Sequence, residues 1–361
     1  MINTFDLSKA EQLHKQGQAP AHHLFGAIEL KRDYNYNVLI PAHEKYSLLN
    51  RIGDLFDIQF LDQQLRAISI FREYDLIYAP FAAANTKLLI LGKLLGIINK
   101  PLVILVHHPL FGTPHNRLKR WIARKLILKY DKVIFLSEQI RSEIINSYQI
   151  DVAHSADHFF SSNLGTDLNF YNKFISSSER TSPHSLISSG NSGRDFDILI
   201  AASKKLKVPI KIYCKPGSYP TSSSIPDHVE ILSGEFPYDH ICRDLVNASI
   251  VLIPLSAESE GMVGLTSLLE ALALGKPVIM TKNNYINVDF EKENIGLTVN
   301  EGDIDGWVQA ISSLLEDQLR LKEMGENSLR LAREKFNSNL FAQDLAGAIE
   351  DTYRHATTKG Q

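Results

Sequence analysis

Glu258-Ser-Glu-Gly-Met-Val-Gly-Leu-Thr-Ser-Leu-Leu-Glu-Ala-Leu-Ala-Leu-Gly-Lys-Pro-Val-Ile-Met280 is the most informative stretch of this 361-residue chain. It follows an apolar run, Ile250-Val-Leu-Ile-Pro254, that reads as a strand. It then passes two glycines, Gly261 and Gly264, and enters a helical pattern over about 263–274. Gly275 suits the helix end, and Lys276-Pro277 opens a second strand through Met280. This is a strand–helix–strand unit whose helix N-terminus turns backbone N–H groups toward any bound anion. The glycines let a ligand approach the backbone closely. Glu270 lies in the otherwise apolar run Leu268-Leu-Glu-Ala-Leu272, and a charge so placed needs a partner or a ligand hydroxyl.

The same alternation extends in both directions. Runs 37–41, 74–79, 101–106 and 132–136 read as strands, with a helix over 116–130. After a Ser-rich linker at 176–184, strands are expected at 185–188, 209–214, 230–232, 250–254 and 277–280, and helices at 195–207 and 263–274. The stretch 215–228 reads as a loop with freedom to move. The tail 303–357 is helical in pattern, with Asp303 and Asn337 as caps. Continuous apolar strands separated by helices make an α/β chain of two doubly wound parallel-sheet domains facing a cleft. The expected division is 1–175 for the first domain, 181–340 for the second and 341–361 for a C-terminal helix.

Composition excludes several classes. Hydrophobic residues make up 44% and charged residues 22%, which suits two packed cores and not a disordered chain. The net charge of −3 argues against nucleic acid as a partner. Two cysteines, Cys214 and Cys242, are too few for a disulfide framework or a structural zinc site. The start lacks the apolar core of a secretory signal, and no apolar run reaches about 18 residues. The expected location is therefore cytoplasmic.

The segment Glu270-Ala-Leu-Ala-Leu-Gly-Lys-Pro-Val278 resembles the signature of family 4 retaining glycosyltransferases of the GT-B fold, the glycosyltransferases group 1. In that family a first Glu stands eight positions before the second. Here that position is Met262, and Glu260 and Glu258 lie two and four residues further upstream. The resemblance implies two Rossmann-like domains, with donor on the second and acceptor on the first. It implies that Glu270 binds the ribose hydroxyls of a nucleotide. Either a two-residue insertion lets Glu260 take the first Glu's contact with the donor sugar, or that role is absent. The amides of Gly261, Val263, Gly264, Leu265 and Thr266 then hold the diphosphate. Arg194, in Ser189-Gly-Asn-Ser-Gly-Arg-Asp195, and Lys215, after strand 209–214, supply its cationic partners. The alternatives are an Arg194 paired with Asp195 or Asp197 and a solvated Lys215. Ser162-Asn-Leu-Gly-Thr-Asp-Leu168 resembles the run that ends the first domain in these enzymes.

In the first domain, His107-His108 follows strand 101–106, and the resemblance implies that one of the two lines the sugar pocket. His22-His23 reads as structural, while Gly26 resembles the family's N-terminal glycine at the donor phosphate. The expected activity is a hexosyltransferase-like transfer from a nucleotide-diphosphate sugar to a hydroxyl of a glycan or glycolipid, with retention, in polysaccharide or glycoconjugate synthesis. The donor is a substrate and no cofactor or metal is expected, because no Asp-x-Asp pair follows a strand. The alternatives are a non-catalytic nucleotide- or glycan-binding protein and a nucleotide-sugar epimerase. Residues 117–129 carry six cations and no acid, with Trp121, Ile122 and Leu126 at helical spacing. They read either as peripheral contact with an anionic membrane or as a domain helix with its apolar stripe in the core.

Overall fold

The computed structural model describes residues 1–2, 4–81, 84–112, 114–151, 157–176 and 185–358. The expected linker 176–184 lies almost wholly outside them. The chain divides into two compact units. One comprises Met1–Gln16, Ala21–Leu164 and Ser338–Gln361; the other comprises Gly17–Pro20 and Gly165–Asn337. The division therefore falls at Gly165, before the expected linker, so that helix Leu168–Ser176 belongs to the second unit. The second boundary falls at Ser338, where the last helix begins.

The first unit holds a parallel sheet of β1 (Ile77–Ala79), β2 (Leu102–Val106), β3 (Lys132–Phe135) and β4 (Phe159–Ser161), in that order. Strands β2 and β3 are buried throughout, which is why Leu102–Val106 and the stretch 133–135 read as unbroken apolar runs. Helices Lys87–Leu94, Arg117–Ile127 and Glu138–Tyr148 connect successive strands. Right-handed crossovers that always step the same way place all three on one face. Helix Ser338–Thr358 also packs in this unit, burying Phe341, Leu345 and Ile349, and Ser162 Oγ donates to Asp344 at 2.7 Å. The expected strand 37–41 does not form. Its apolar run is only three residues long and ends at Pro41, which has no N–H to give a ladder.

The second unit holds a six-stranded parallel sheet in the order β10-β9-β8-β5-β6-β7. Its strands are β5 (Leu186–Ser189), β6 (Ile210–Cys214), β7 (Val229–Ser233), β8 (Ile250–Ile253), β9 (Val278–Thr281) and β10 (Gly296–Val299). One core is built from Leu199, Ile212, Leu252, Ile279 and Ile311 around Trp307, which is fully buried. Helix Leu265–Ala273 is enclosed along nearly its whole length, so it carries apolar residues on every side. Gly275 follows it with φ +67°, the left-handed turn expected at a helix end. Asp303 caps helix Ile304–Leu315 by accepting from Gly306 N–H. No helix among the described residues is long and apolar enough to cross a membrane.

Strand β10 has no counterpart in the sequence reading. It depends on Gly296, because a Cβ there would lie 1.8 Å from the Val278 carbonyl oxygen on β9. Gly296→Ala should therefore cost about 3 kcal/mol or more in denaturant unfolding. Gly302→Ala, at φ +70° with open space around it, should cost only about 1 kcal/mol. Equal losses would remove the close strand approach as the reason for Gly296.

Candidate active site

In the second unit β5 lies between β6 and β8, so strand order reverses there. Connections diverge on either side of such a point and leave a crevice beyond the strand ends, where open α/β sheets bind ligands. Two loops border it, 190–195 after β5 and 254–264 after β8. They are tied together by an antiparallel bridge between Arg194 and Leu255. Asp195 N–H also donates to Pro254 O at 3.2 Å, and Ser259 Oγ donates to Gly193 O at 3.1 Å.

The second loop is clamped from just beyond β9. Asn283 Nδ2 donates to the carbonyls of Gly261 and Val263 at 3.0 and 3.1 Å. Gly261 and Gly264 have φ of +72° and +91°, the left-handed region that favours glycine. The helix starts at Leu265, two residues later than the sequence pattern indicates. Of the amides expected to face an anion, Leu265 N–H is used within the loop, donating to Met262 O at 3.1 Å. Among the described residues the N–H groups of Val263, Gly264 and Thr266 meet no acceptor.

Arg194 lies against the first turn of this helix. Its Nη2 donates to Ser267 Oγ at 2.9 Å and its Nη1 to Ser192 O at 2.9 Å. Ser267 Oγ in turn donates to Ser189 O at 3.2 Å. The guanidinium packs over Gly190, where a Cβ would lie 2.5 Å from it. Burial lowers the guanidinium pKa to about 10, with Glu270 pulling the other way, so it remains a cation at neutral pH. The alternative pairing with Asp195 or Asp197 does not occur. Asp195 caps helix Phe196–Leu206, and Asp197 accepts from Thr221 and Ser222. Those bonds, with Ser218 Oγ donating to Asn191 O at 2.6 Å, also tie down the loop 215–228. Lys215 is exposed at the end of β6.

Glu270 is 8% exposed. Tyr238 Oη donates to its Oε1 at 2.6 Å, and Tyr171 Oη bonds Tyr238 Oη. Burial pushes the Glu270 pKa up to about 7 against the opposing pull of Tyr238 and Arg194. Glu260 is exposed, and Met262, at the position of the family's first Glu, is buried.

The first-unit candidates divide. His107 is enclosed by Phe81 and His108, with ring centroids 4.6 and 4.3 Å away. Burial lowers its pKa to about 3, so it acts as a neutral hydrogen-bonding ring. His108 is exposed. His22 is buried, and its pKa is driven well down by that burial. Gly26 has φ +82°, and a Cβ there would lie 2.8 Å from Leu345. Close packing on the C-terminal helix requires a glycine at this position. Asn283, Tyr238 and Tyr171 were not legible in sequence, since each lies on a separate element and carries no local motif.

Residues 222–330, inside the second unit, match the sequence model of the family described as glycosyl transferases group 1. A D-inositol 3-phosphate glycosyltransferase of Corynebacterium kroppenstedtii is 33% identical over 107 residues, which cover 30% of this chain and 23% of that protein. Among solved structures, Anabaena Alr3699/HepE in complex with UDP-glucose is 18% identical, with a TM-score of 0.61 and 83% of each chain covered. A glycosyltransferase from Rickettsia africae is 14% identical, with a TM-score of 0.62, covering 90% of this chain and 87% of that one. The α,α-trehalose 6-phosphate synthase of Burkholderia multivorans is 12% identical, with a TM-score of 0.64, covering 93% and 81%. At these identities the likeness is one of fold, and the fold is GT-B. Glu270 and the glycine loop both lie within the group 1 segment.

A carboxyl at about 7 in the folded chain and 4.5 ordinarily holds its proton only in the fold between those pH values. The folded state then binds more protons, so stability falls as pH rises through that window. Glu270→Gln keeps the acceptor for Tyr238 without the charge. Its melting temperature should match the native protein near pH 4.5 and exceed it by pH 8. A difference that stays constant across this range would refute the buried carboxyl.

Proposed function

We propose that this group 1 chain is a retaining, hexosyltransferase-like enzyme that takes sugar from a nucleotide-diphosphate donor. The acceptor is a hydroxyl of a glycan or glycolipid, and the product belongs to polysaccharide or glycoconjugate synthesis. The observation that carries the reading is Glu270, a buried carboxyl beside a cationic Arg194 and unsatisfied helix-start amides. A ribose hydroxyl suits the carboxyl, and a diphosphate suits the guanidinium and the amides. Alr3699/HepE, of the same fold, holds UDP-glucose in its crystal structure.

In the proposed reaction the bond between the anomeric carbon and the β-phosphate oxygen breaks. The acceptor oxygen bonds that carbon on the same face, and its proton passes to a leaving phosphate oxygen. Arg194, Lys215 and the amides of Val263, Gly264 and Thr266 stabilise the charge on the leaving diphosphate as it develops. These groups supply positive charge without a divalent ion, so turnover without metal is part of the proposal. A neutral His107 suits a hydrogen bond to a sugar hydroxyl. Met262 in place of the family's first Glu favours the rival reading of a binding protein without turnover. Incubation without acceptor, with product analysis, separates transfer from epimerisation.

The test is calorimetry of the native chain and Glu270→Ala with UDP, GDP and ADP, followed by transfer assays from the matching sugar donors. One nucleotide should bind, and Glu270→Ala should lower its affinity at least about tenfold while the chain stays folded. Unchanged affinity would overturn the site. Binding without transfer to any acceptor would favour the rival. Activity should persist in excess chelator, and manganese-dependent recovery would overturn the metal-free step.

Peripheral membrane contact is proposed for the first unit. Only Ala123 and Ile127 of helix Arg117–Ile127 are buried, while Leu118, Trp121 and Ile122 are exposed among the cations of 117–129. The neighbouring crossover helix exposes Leu91 and Leu94, followed by Leu95 and Ile97. Apolar residues rimmed by cations on one face suit an anionic bilayer. Vesicles containing phosphatidylglycerol should float the protein at low salt, and Trp121→Ala with Leu118→Ala should weaken this severalfold. No flotation at low salt would remove the proposal.

A further inference from the structure

We infer that Tyr238 is a positioning residue that sets the orientation of the Glu270 carboxyl for a ribose hydroxyl, with Tyr171 fixing Tyr238 in turn. The inference rests on the reading of Glu270 as the ribose-binding group.

Three helices meet at this point: Leu168–Ser176, Tyr238–Asn247 and Leu265–Ala273. Each contributes one member of a hydrogen-bonded chain, Tyr171 to Tyr238 to Glu270. Both phenols are raised well above their ordinary pKa, burial being the largest cause and the Glu270 charge the next. They therefore keep their protons, and the direction of the chain follows. A phenol has one proton to give. Tyr238 gives its proton to Glu270 Oε1 at 2.6 Å, so the bond between the two phenols is donated by Tyr171. Among the described residues, the hydrogen bond from Tyr238 is the one Glu270 accepts.

The consequence is geometric. A carboxylate on a flexible side chain rotates about its last bonds, and a single short bond to a fixed phenol stops that rotation. Tyr238 cannot itself turn away, because its ring packs against Phe170 at 5.8 Å and its hydroxyl is held by Tyr171. Oε1 is thus committed to the protein, and Oε2 is the oxygen that a ligand hydroxyl would meet. A residue that only satisfied a buried carboxyl would affect all ligands alike. One that aims the carboxyl affects only ligands that carry the hydroxyl.

That difference is the test. Affinities of the native chain, Tyr238→Phe and Tyr171→Phe are measured by calorimetry for UDP, GDP and ADP and for the 2′,3′-dideoxy form of each. Tyr238→Phe keeps the ring and removes only the donor. It should weaken the ribonucleotide that binds about tenfold and leave its dideoxy form within about twofold. Tyr171→Phe should show the same selectivity with a smaller loss, and it carries the test if Tyr238→Phe does not fold. Equal weakening of both forms, or no weakening of either, overturns the positioning role. If the native chain binds ribo and dideoxy forms equally, the Glu270 assignment fails instead. If it binds none of them, the nucleotide reading itself fails.

Discussion

A carboxyl taken out of water on an apolar helix costs several kcal/mol unless other groups meet it. Glu270 is such a group, and much of the second unit is arranged around it. The enclosed helix Leu265–Ala273 fixes its position, two phenols in series approach one side, and Arg194 supplies positive charge nearby. None of these alone makes ionisation easy, since the carboxyl still titrates near neutrality. A core built for stability alone would carry Leu at this position. Retaining a charge there costs stability, which the proposed ribose contact would explain.

The surrounding backbone follows from topology. Reversal of strand order at β5 and β8 opens a crevice that neither connection covers. The chain lines it with loops held by their own hydrogen bonds: Gly193 to Ser259, Arg194 to Leu255, and Asn283 across to Gly261 and Val263. Amides held this firmly need no rearrangement to meet an anion, which is the condition for electrostatic stabilisation at low cost. A net charge of −3 over the whole chain is no obstacle, because a diphosphate needs only a few well-placed donors.

The parallel-sheet architecture and most strands are legible in the sequence, because strands buried on both faces must be continuous apolar runs, as in Leu102–Val106 and Ile250–Ile253. Strands β4 and β10 are not. Strand β4 is only three residues long, and β10 is defined by close approach to Val278, which leaves no trace in composition. The run 37–41 reads as a strand and forms none, since three apolar residues do not reveal whether a neighbour exists to pair with them. At the site, Glu270 was legible because a charge in an apolar helix is anomalous locally. Tyr171, Tyr238 and Asn283 were not, because each acts across a sequence separation that only the fold closes. The division at 176–184 failed for a related reason: a polar Ser-rich run marks a surface segment, and the units part earlier, at Gly165.

Helix Ser338–Thr358 packs in the first unit, although more than 170 residues of the second unit precede it. During synthesis the second unit emerges nearly whole, while the first still lacks the surface that covers Gly26 and receives Ser162. The half made first is therefore completed last. Phe341, Leu345 and Ile349 are the side chains this helix buries there, so until they emerge one unit is complete and the other stays open.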